Sequence, residues 1–576
     1  MIKKRITQLI GLGLVTTLLF TTVACQKEES QVKTDQNKEQ VAEESKQTDG
    51  EFDPRSVTEG VTLRIAVSNH PRIEDYNTND TTLKIEEALG VDLQFEVYAS
   101  DDYQSKLNAM VATGEKLPDI MFDCGVDNIN SWAAEGAVVD LKDWFEDENY
   151  AANTQAACKV VGDDILTYIK NADGNMYYVP SYQQALNGQY WQQLWIYDDW
   201  MKELGADYPT TTEEFYELAK LVSETDLNGN GKADEYILSG AGLGNYRDGW
   251  FDFMMSPFVY AGDERYLVSK DGELSLAYMT DGWKEGLKYI KRFFDEGLIP
   301  QETLTQGEDQ WTSIRVNTEE TTVLSIVDWF MNSSSTEYNL KWNNVPALKG
   351  PEGLYQCYYL PCTPYSDGAV ITTDCENPLA AFLVLDYMCN EELSTTSRFG
   401  KRGVNWDYFS DLDIDKSQYT SSYDFMGDDG MYIIKYDDTG FWNSTEVQNV
   451  SYLQNGPFII PARSIFGTAV EKDPKDEETK QKIELDQHQR GAVIEAGEKT
   501  RCQEVVTYLP MTTDELESVV DSKTEITKYL YESVGAFLTG AKDIDAEWDN
   551  YKTQMKKLGA DELLQVYQTA WDRVVK

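Results

Sequence analysis

The chain has 576 residues, with 100 aspartates and glutamates against 50 lysines and arginines, a formal charge of −50. A field of that sign repels nucleic acid and other polyanions and favours neutral or cationic ligands, although a local basic pocket can still hold an anionic group. With 41% apolar and 12% aromatic residues the composition is globular, and the length exceeds what one hydrophobic core organises, so two or more domains are expected. His70 and His488 are the only histidines, which leaves His-based metal sites and catalytic triads few partners. The eight cysteines include no Cys-x-x-Cys spacing that suggests zinc.

At the N-terminus Lys3, Lys4 and Arg5 precede an apolar run from Leu9 to Val23, which reads as a secretory signal over residues 1–24 rather than a membrane span. The run ends at Thr22-Val-Ala-Cys25, which resembles the lipobox of bacterial lipoproteins, with Thr22 in place of the usual Leu. The resemblance implies that Cys25 is lipidated (palmitate among its acyl chains) and heads the mature chain; the alternative is an ordinary signal peptide cut near Ala24. Residues 25–57 continue as a polar run with almost nothing apolar to bury, expected to be a disordered tether. An acyl anchor on such a tether holds a folded body at the extracellular face of the membrane. With Cys25 assigned to lipid, seven cysteines remain, so at least one thiol is expected to be unpaired or intermolecular.

The folded part opens with Val61, Leu63, Ile65 and Val67 alternating as a strand. A helix near Leu83 to Leu89 and a second alternating strand, Val91 to Val97, complete a β-α-β unit. Tyr103, Leu107, Met110 and Val111 mark one face of a helix, and Asp119 to Phe122 is a short strand. Strand alternating with helix predicts a parallel or mixed sheet covered by helices, an α/β fold. Further along, a strand near Gln193 to Tyr197 precedes a helix opened by Thr211 and Glu214 at capping-box spacing. Thr322 to Val327 is a buried-strand run, Ala369 to Thr372 another short strand, and from Thr512 onward the chain is helical.

Between the Thr211 helix and the middle strands lies Asp226-Leu-Asn-Gly-Asn-Gly-Lys-Ala-Asp-Glu-Tyr-Ile237. Asp226, Asn228 and Asn230 fall at the first, third and fifth positions of a calcium loop, Gly231 takes its sharp turn, and Asp234 sits at the ninth. The twelfth position, where an EF-hand carries a bidentate Glu, is Ile237. Glu235 is the natural substitute, and the Lys232 carbonyl completes the oxygen set with water, so a structural calcium ion is expected. The alternative is a polar Asn/Gly turn.

Gly114-Glu-Lys-Leu-Pro-Asp-Ile120, Asp173-Gly-x-x-Tyr-x-x-Pro180, Asp199-Trp200 with Leu204-Gly205, and Pro209-Thr-Thr-Thr-Glu-Glu-Phe215 follow one another in an order that resembles the lipoprotein branch of the family 1 extracellular solute-binding proteins of bacterial carbohydrate ABC importers. Asn377-Pro-Leu-Ala-Ala, Phe399-Gly-Lys-Arg-Gly-Val404 and Tyr567-Gln-Thr-Ala-x-Asp-Arg573 extend the likeness to the C-terminus. The resemblance implies a two-lobe, periplasmic-binding-protein-like fold of the maltose-binding type, with a hinge and an interlobe ligand cleft. Lobe 1 is expected at 58–182 plus 365–404, and lobe 2 at 183–364 plus 405–576. It further implies a monomeric binding protein, not an enzyme, that captures an oligosaccharide and delivers it to the membrane permease of the importer. A peptide or amino-acid binder, or a secreted glycoside hydrolase using paired carboxylates, is the rival reading.

Sugars present C–H faces to aromatic rings and hydroxyls to carboxylates and amides, so site candidates are aromatic and polar residues at strand ends. Trp329, beside Asp328, resembles in position the sugar-stacking Trp of the maltose-binding type, against the alternative of a core Trp. Asp123 follows the Pro118–Phe122 strand where relatives contact ligand, or else is a turn acid. Trp250, after the glycine-rich stretch 240–249, is a second cleft aromatic or a core residue. His70 and Arg72, after the first strand, and Trp442 in Gly440-Phe-Trp-Asn complete the set, with surface or packing as the alternative.

Overall fold

The computed structural model describes residues 52–576 apart from 163, 245–248, 263–264, 318–320, 330, 332, 334, 428–431, 436–440, 442–443, 504 and 576. The signal, Cys25 and most of the tether, and Trp442, therefore lie outside the described residues. Residues 54–576 form one compact unit. Among the described residues no helix is long and apolar enough to cross a membrane, and Cys158, Cys357, Cys375 and Cys389 are free thiols.

Two sheets organise this unit. The first contains β1 (Thr62–Ser68), β2 (Asp92–Tyr98), β3 (Ile120–Phe122), β4 (Val179–Gln183), β11 (Tyr365–Ile371) and β15 (Phe458–Ile460), in the spatial order β15-β4-β11-β3-β1-β2. β1 pairs parallel with β2 and β3, and β15 parallel with β4, while β11 runs antiparallel to both β3 and β4. This is the mixed sheet the alternation predicts. The helix between β1 and β2 begins at Asp80 because the Asn79 side chain accepts from the Thr81 N–H, and it ends at Gly90, whose φ of 72° an L-residue rarely adopts.

The second sheet has β5 (Gln193–Tyr197), β6 (Tyr236–Leu238), β9 (Val323–Asp328) and β10 (Trp342–Val345), in the order β10-β5-β9-β6. Its residues separate two cores by the period of two: Leu194 and Ile196 enter the larger one, and Trp195 enters a smaller aromatic cluster with Trp311 and Trp342. The C-terminal helices Thr513–Leu538, Ile544–Lys557 and Ala560–Val575 close the larger core with Phe537, Trp548, Tyr567 and Trp571. Both expected capping boxes are formed, at Thr211/Glu214 and Thr512/Glu515. Three two-stranded ribbons complete the strands: β7 (Leu267–Lys270) with β8 (Glu273–Leu276), β12 (Trp406–Tyr408) with β14 (Ile433–Lys435), and β13 (Tyr419–Ser421) with β16 (Ala469–Glu471).

One expected boundary is corrected by the pairing of β15. The stretch 405–576 is expected in the second lobe, yet Phe458–Ile460 hydrogen-bonds β4, and Tyr452, Leu453 and Ile459 lie in the core of the first sheet. The reason is physical: β4 has one edge on β11, and its other edge needs a partner for its main-chain groups, which a distant segment supplies.

Candidate functional site

β3 and β4 flank β11 antiparallel to it, so they point the same way and end on one edge of the first sheet. In the second sheet the Gln193↔Asp328 register puts the start of β5 beside the end of β9. The chain passes from the end of β4 to the start of β5 through residues 184–192, so the edges carrying Asp123 and Trp329 border the gap between the sheets. A second crossing, 346–364, runs alongside: the Leu360 N–H donates to the Gln189 carbonyl at 3.0 Å, and the Tyr190 and Tyr359 rings lie 5.5 Å apart. The helix Ala492–Thr500 adds a third strand of support, with Tyr190 Oη donating to Glu498 at 2.7 Å and the Cys357 N–H to the Thr500 carbonyl at 2.8 Å.

Trp329 stands at the end of β9, 36% exposed, and its ring meets Trp191, 5.0 Å between centroids and inclined by 43°. Two indoles side by side at a sheet edge present the flat apolar faces that sugar rings stack on. Trp191 was not singled out in the sequence, because it joins Trp329 only through strand pairing. Asp328 braces the end of β9 through its own contacts. It is 5% exposed, forms a buried ion pair with Arg315 of the helix Glu308–Arg315, and accepts the Trp329 N–H at 2.7 Å.

Asp123 is half-buried at φ 51°, a left-handed conformation uncommon outside glycine. Its carboxylate accepts from the Gly456 N–H at 3.3 Å and its carbonyl from Gln104 Nε2, so it ties β3 to the segment leading into β15. His70 is half-buried too; its Nδ1 accepts the Arg72 N–H at 3.2 Å, and burial, then the Arg72 charge, holds its pKa below the ordinary value. Arg72 reaches the Phe441 carbonyl at 2.5 Å. These residues follow β1 and β3 at the same sheet edge.

Trp250 is corrected from a cleft aromatic to a core one. It is 1% exposed, its Nε1 donates to the Gly242 carbonyl at 2.9 Å, and it packs edge-on against Phe294. Gly240 serves the same packing, since a Cβ there would lie 2.2 Å from the Trp250 ring.

The oxygen-rich loop joins the helix Thr212–Ser223 to β6. Gly229 and Gly231 take φ values of 72° and 88°, which only glycine adopts readily. Asp226 Oδ2 accepts the Gly231 N–H at 2.8 Å, and Asn228 and Asn230 accept the N–H groups of Asn230 and Lys232. Glu235 is 1% exposed; its Oε1 takes the N–H groups of Leu227 and Asn228, and its Oε2 that of Asp234. Asp226 Oδ1 is buried with no hydrogen-bond partner. No group of three or more His, Cys, Asp or Glu side chains arranged for a metal occurs among the described residues; the loop's donors are two amides and a main-chain carbonyl as much as acids.

These two sheets, crossed repeatedly by the chain between their facing edges, are the architecture of two-domain solute-binding proteins. The chain belongs to the bacterial extracellular solute-binding proteins, the family that matches residues 83–393. It is 23% identical over 526 residues, 89% of its length and 90% of the relative's, to the fructooligosaccharide ABC transporter substrate-binding protein FusA of Streptococcus pneumoniae. It is 23% identical over 256 residues, 43% of its length and 47% of the relative's, to the polygalacturonan/rhamnogalacturonan-binding protein YtcQ of Bacillus subtilis. Among solved structures, an HMO-binding, ABC-transporter-associated solute-binding protein of Bifidobacterium longum infantis superposes with a TM-score of 0.69 at 18% identity, covering 90% of this chain and 99% of that one. An EF-hand mutant of FusA with fructo-nystose superposes at 0.62 and 21% identity, covering 89% and 99%.

Proposed function

We propose that this chain captures an oligosaccharide in the cleft between its two lobes and delivers it to the permease of an ABC importer, as a monomeric binding protein without catalysis. The observation that carries the reading is the half-open Trp329–Trp191 pair at the end of β9. Relatives named for binding fructooligosaccharide and polygalacturonan support the ligand class. Lobe 1 is then 58–182 plus 365–404 with β15 added, and lobe 2 the remainder. The residues 184–192, 346–364 and the helix Ala492–Thr500 form the hinge, and a ligand selects the closed arrangement. A thermal-shift screen of neutral and acidic oligosaccharides against peptides tests the assignment: stabilisation by peptides alone would sink it.

Calcium fits the loop. Asp226, Asn228, Asn230, the Lys232 carbonyl, Asp234 and Glu235 would hold it, and the buried, unpartnered Asp226 Oδ1 is the atom whose burial a cation would offset. Each ionised carboxylate has about four acceptor sites, so the N–H bonds to Glu235 leave it capacity for a metal. When bound, the ion neutralises the acids and joins the preceding helix to β6. Stability should therefore rise by about 1.4 kcal/mol for each ten-fold excess of calcium over its Kd. Chelator should lower the melting temperature of the native chain and leave Asp226→Ala unmoved; identical melts of the native chain with and without calcium would refute the ion.

The lipid anchor at Cys25 belongs to the same reading, placing the protein on the extracellular face of the membrane. Cys25→Ala is expected to move the folded protein from the membrane fraction to the medium, since the tether after it carries almost nothing apolar. Retention of that variant in membranes would count against anchoring at this cysteine.

A further inference from the structure

Away from Trp329, a cavity of about 160 Å³ lies between the helix Val126–Glu135, the turn 168–178 before β4, and the segment 508–516 that leads into the helix Thr513–Leu538. Its walls are contributed by both lobes. Four tyrosines line it, Tyr168, Tyr177, Tyr178 and Tyr508, with Asn130 and Lys170 among their neighbours. Tyr168 and Tyr508 meet edge-to-face across the lobes, 6.3 Å between centroids.

Two features separate this cavity from ordinary packing. Tyr178 is only 8% exposed, yet it and Tyr508 reach the cavity wall from opposite lobes. The second feature is charge. No acidic residue lines the cavity in a chain with 100 of them, and the one charged lining residue is Lys170, whose amine has no ion-pair partner among the described residues. Burial, and secondarily Tyr508, holds the Tyr178 phenol above its ordinary pKa, so it remains a neutral donor at physiological pH.

We infer that this cavity is a second saccharide site, shaped for one sugar ring that carries a carboxylate, a hexuronate unit. Tyrosine rings offer faces to the C–H side of the ring, the Tyr178 and Tyr508 hydroxyls pair with its hydroxyls, and Lys170 pairs with its carboxylate. The inference rests on the carbohydrate reading for its ligand class but names a different place and a sign of charge. Because the walls come from both lobes, an occupant also holds the lobes together.

The test uses the full chain in detergent, titrated calorimetrically with D-galacturonate and with D-galactose. Saturable galacturonate binding is expected, about five-fold weaker in Tyr178→Phe, which keeps the ring, and about ten-fold or more weaker in Lys170→Met, with Trp329→Ala unchanged. The affinity should fall with added salt. Absence of galacturonate binding, equal affinity for galactose, insensitivity to both Lys170→Met and Tyr178→Phe, or loss on Trp329→Ala each overturns the site. Parallel titrations with the neutral trisaccharide kestose keep the two readings apart: the cleft reading stands or falls on kestose and Trp329→Ala, this one on galacturonate and Lys170→Met.

Discussion

Arg315→Ala is expected to destabilise the protein by roughly 3–5 kcal/mol, the cost of leaving a buried charge without its partner. The Arg315 and Asp328 side chains are 16% and 7% exposed, so water does not replace the lost guanidinium. Asp328 also accepts the Trp329 N–H, and its carbonyl takes the Trp195 indole N–H at 3.1 Å. The end of β9 is therefore held at one residue, Asp328, through both its carboxylate and its carbonyl. Denaturant melts of Arg315→Ala and of Arg315→Met with Asp328→Leu separate the causes. If the unpaired charge is responsible, the apolar pair should recover much of the loss, because replacing a buried ion pair by apolar groups is often neutral. A single variant that melts like the native chain would refute the coupling.

What was legible in the sequence is what short-range chemistry decides. Capping boxes at Thr211 and Thr512 and the alternation of β1 and β2 are set within a few residues, and each appears where expected. The oxygen spacing from Asp226 to Glu235 is equally local, and it folds into a loop with its acceptors turned inward. Long-range pairing was not legible. Nothing near Phe458 marks it as the partner of β4, nothing near Trp191 marks it as the neighbour of Trp329, and the partner of Asp328 is fixed by how a helix crosses the sheet. Trp250 shows the ambiguity of composition: glycines beside an aromatic read alike whether they clear room for a ligand or, as at Gly240, for the ring itself.

Trp329→Ala carries the largest expected effect on binding. At 36% exposure Trp329 contributes little to the core, and its contact with Trp191 is of a kind worth about 0.5–1.5 kcal/mol beyond burial, so the fold should survive its removal. A large aromatic truncated at a binding site weakens affinity by roughly 1–3 kcal/mol, about one to two decades in Kd. Trp250→Ala gives the opposite signature, since that ring is 1% exposed: a stability loss of roughly 3–5 kcal/mol, with affinity unchanged under conditions where the variant stays folded. Titration calorimetry and denaturant melts on both variants, with the oligosaccharide found by the thermal-shift screen, read the two signatures independently. Native affinity in Trp329→Ala would move the sugar contact away from the end of β9. Phe in place of Trp329 should recover part of the affinity, because it keeps an aromatic face at the sheet edge while losing the larger indole's overlap with Trp191.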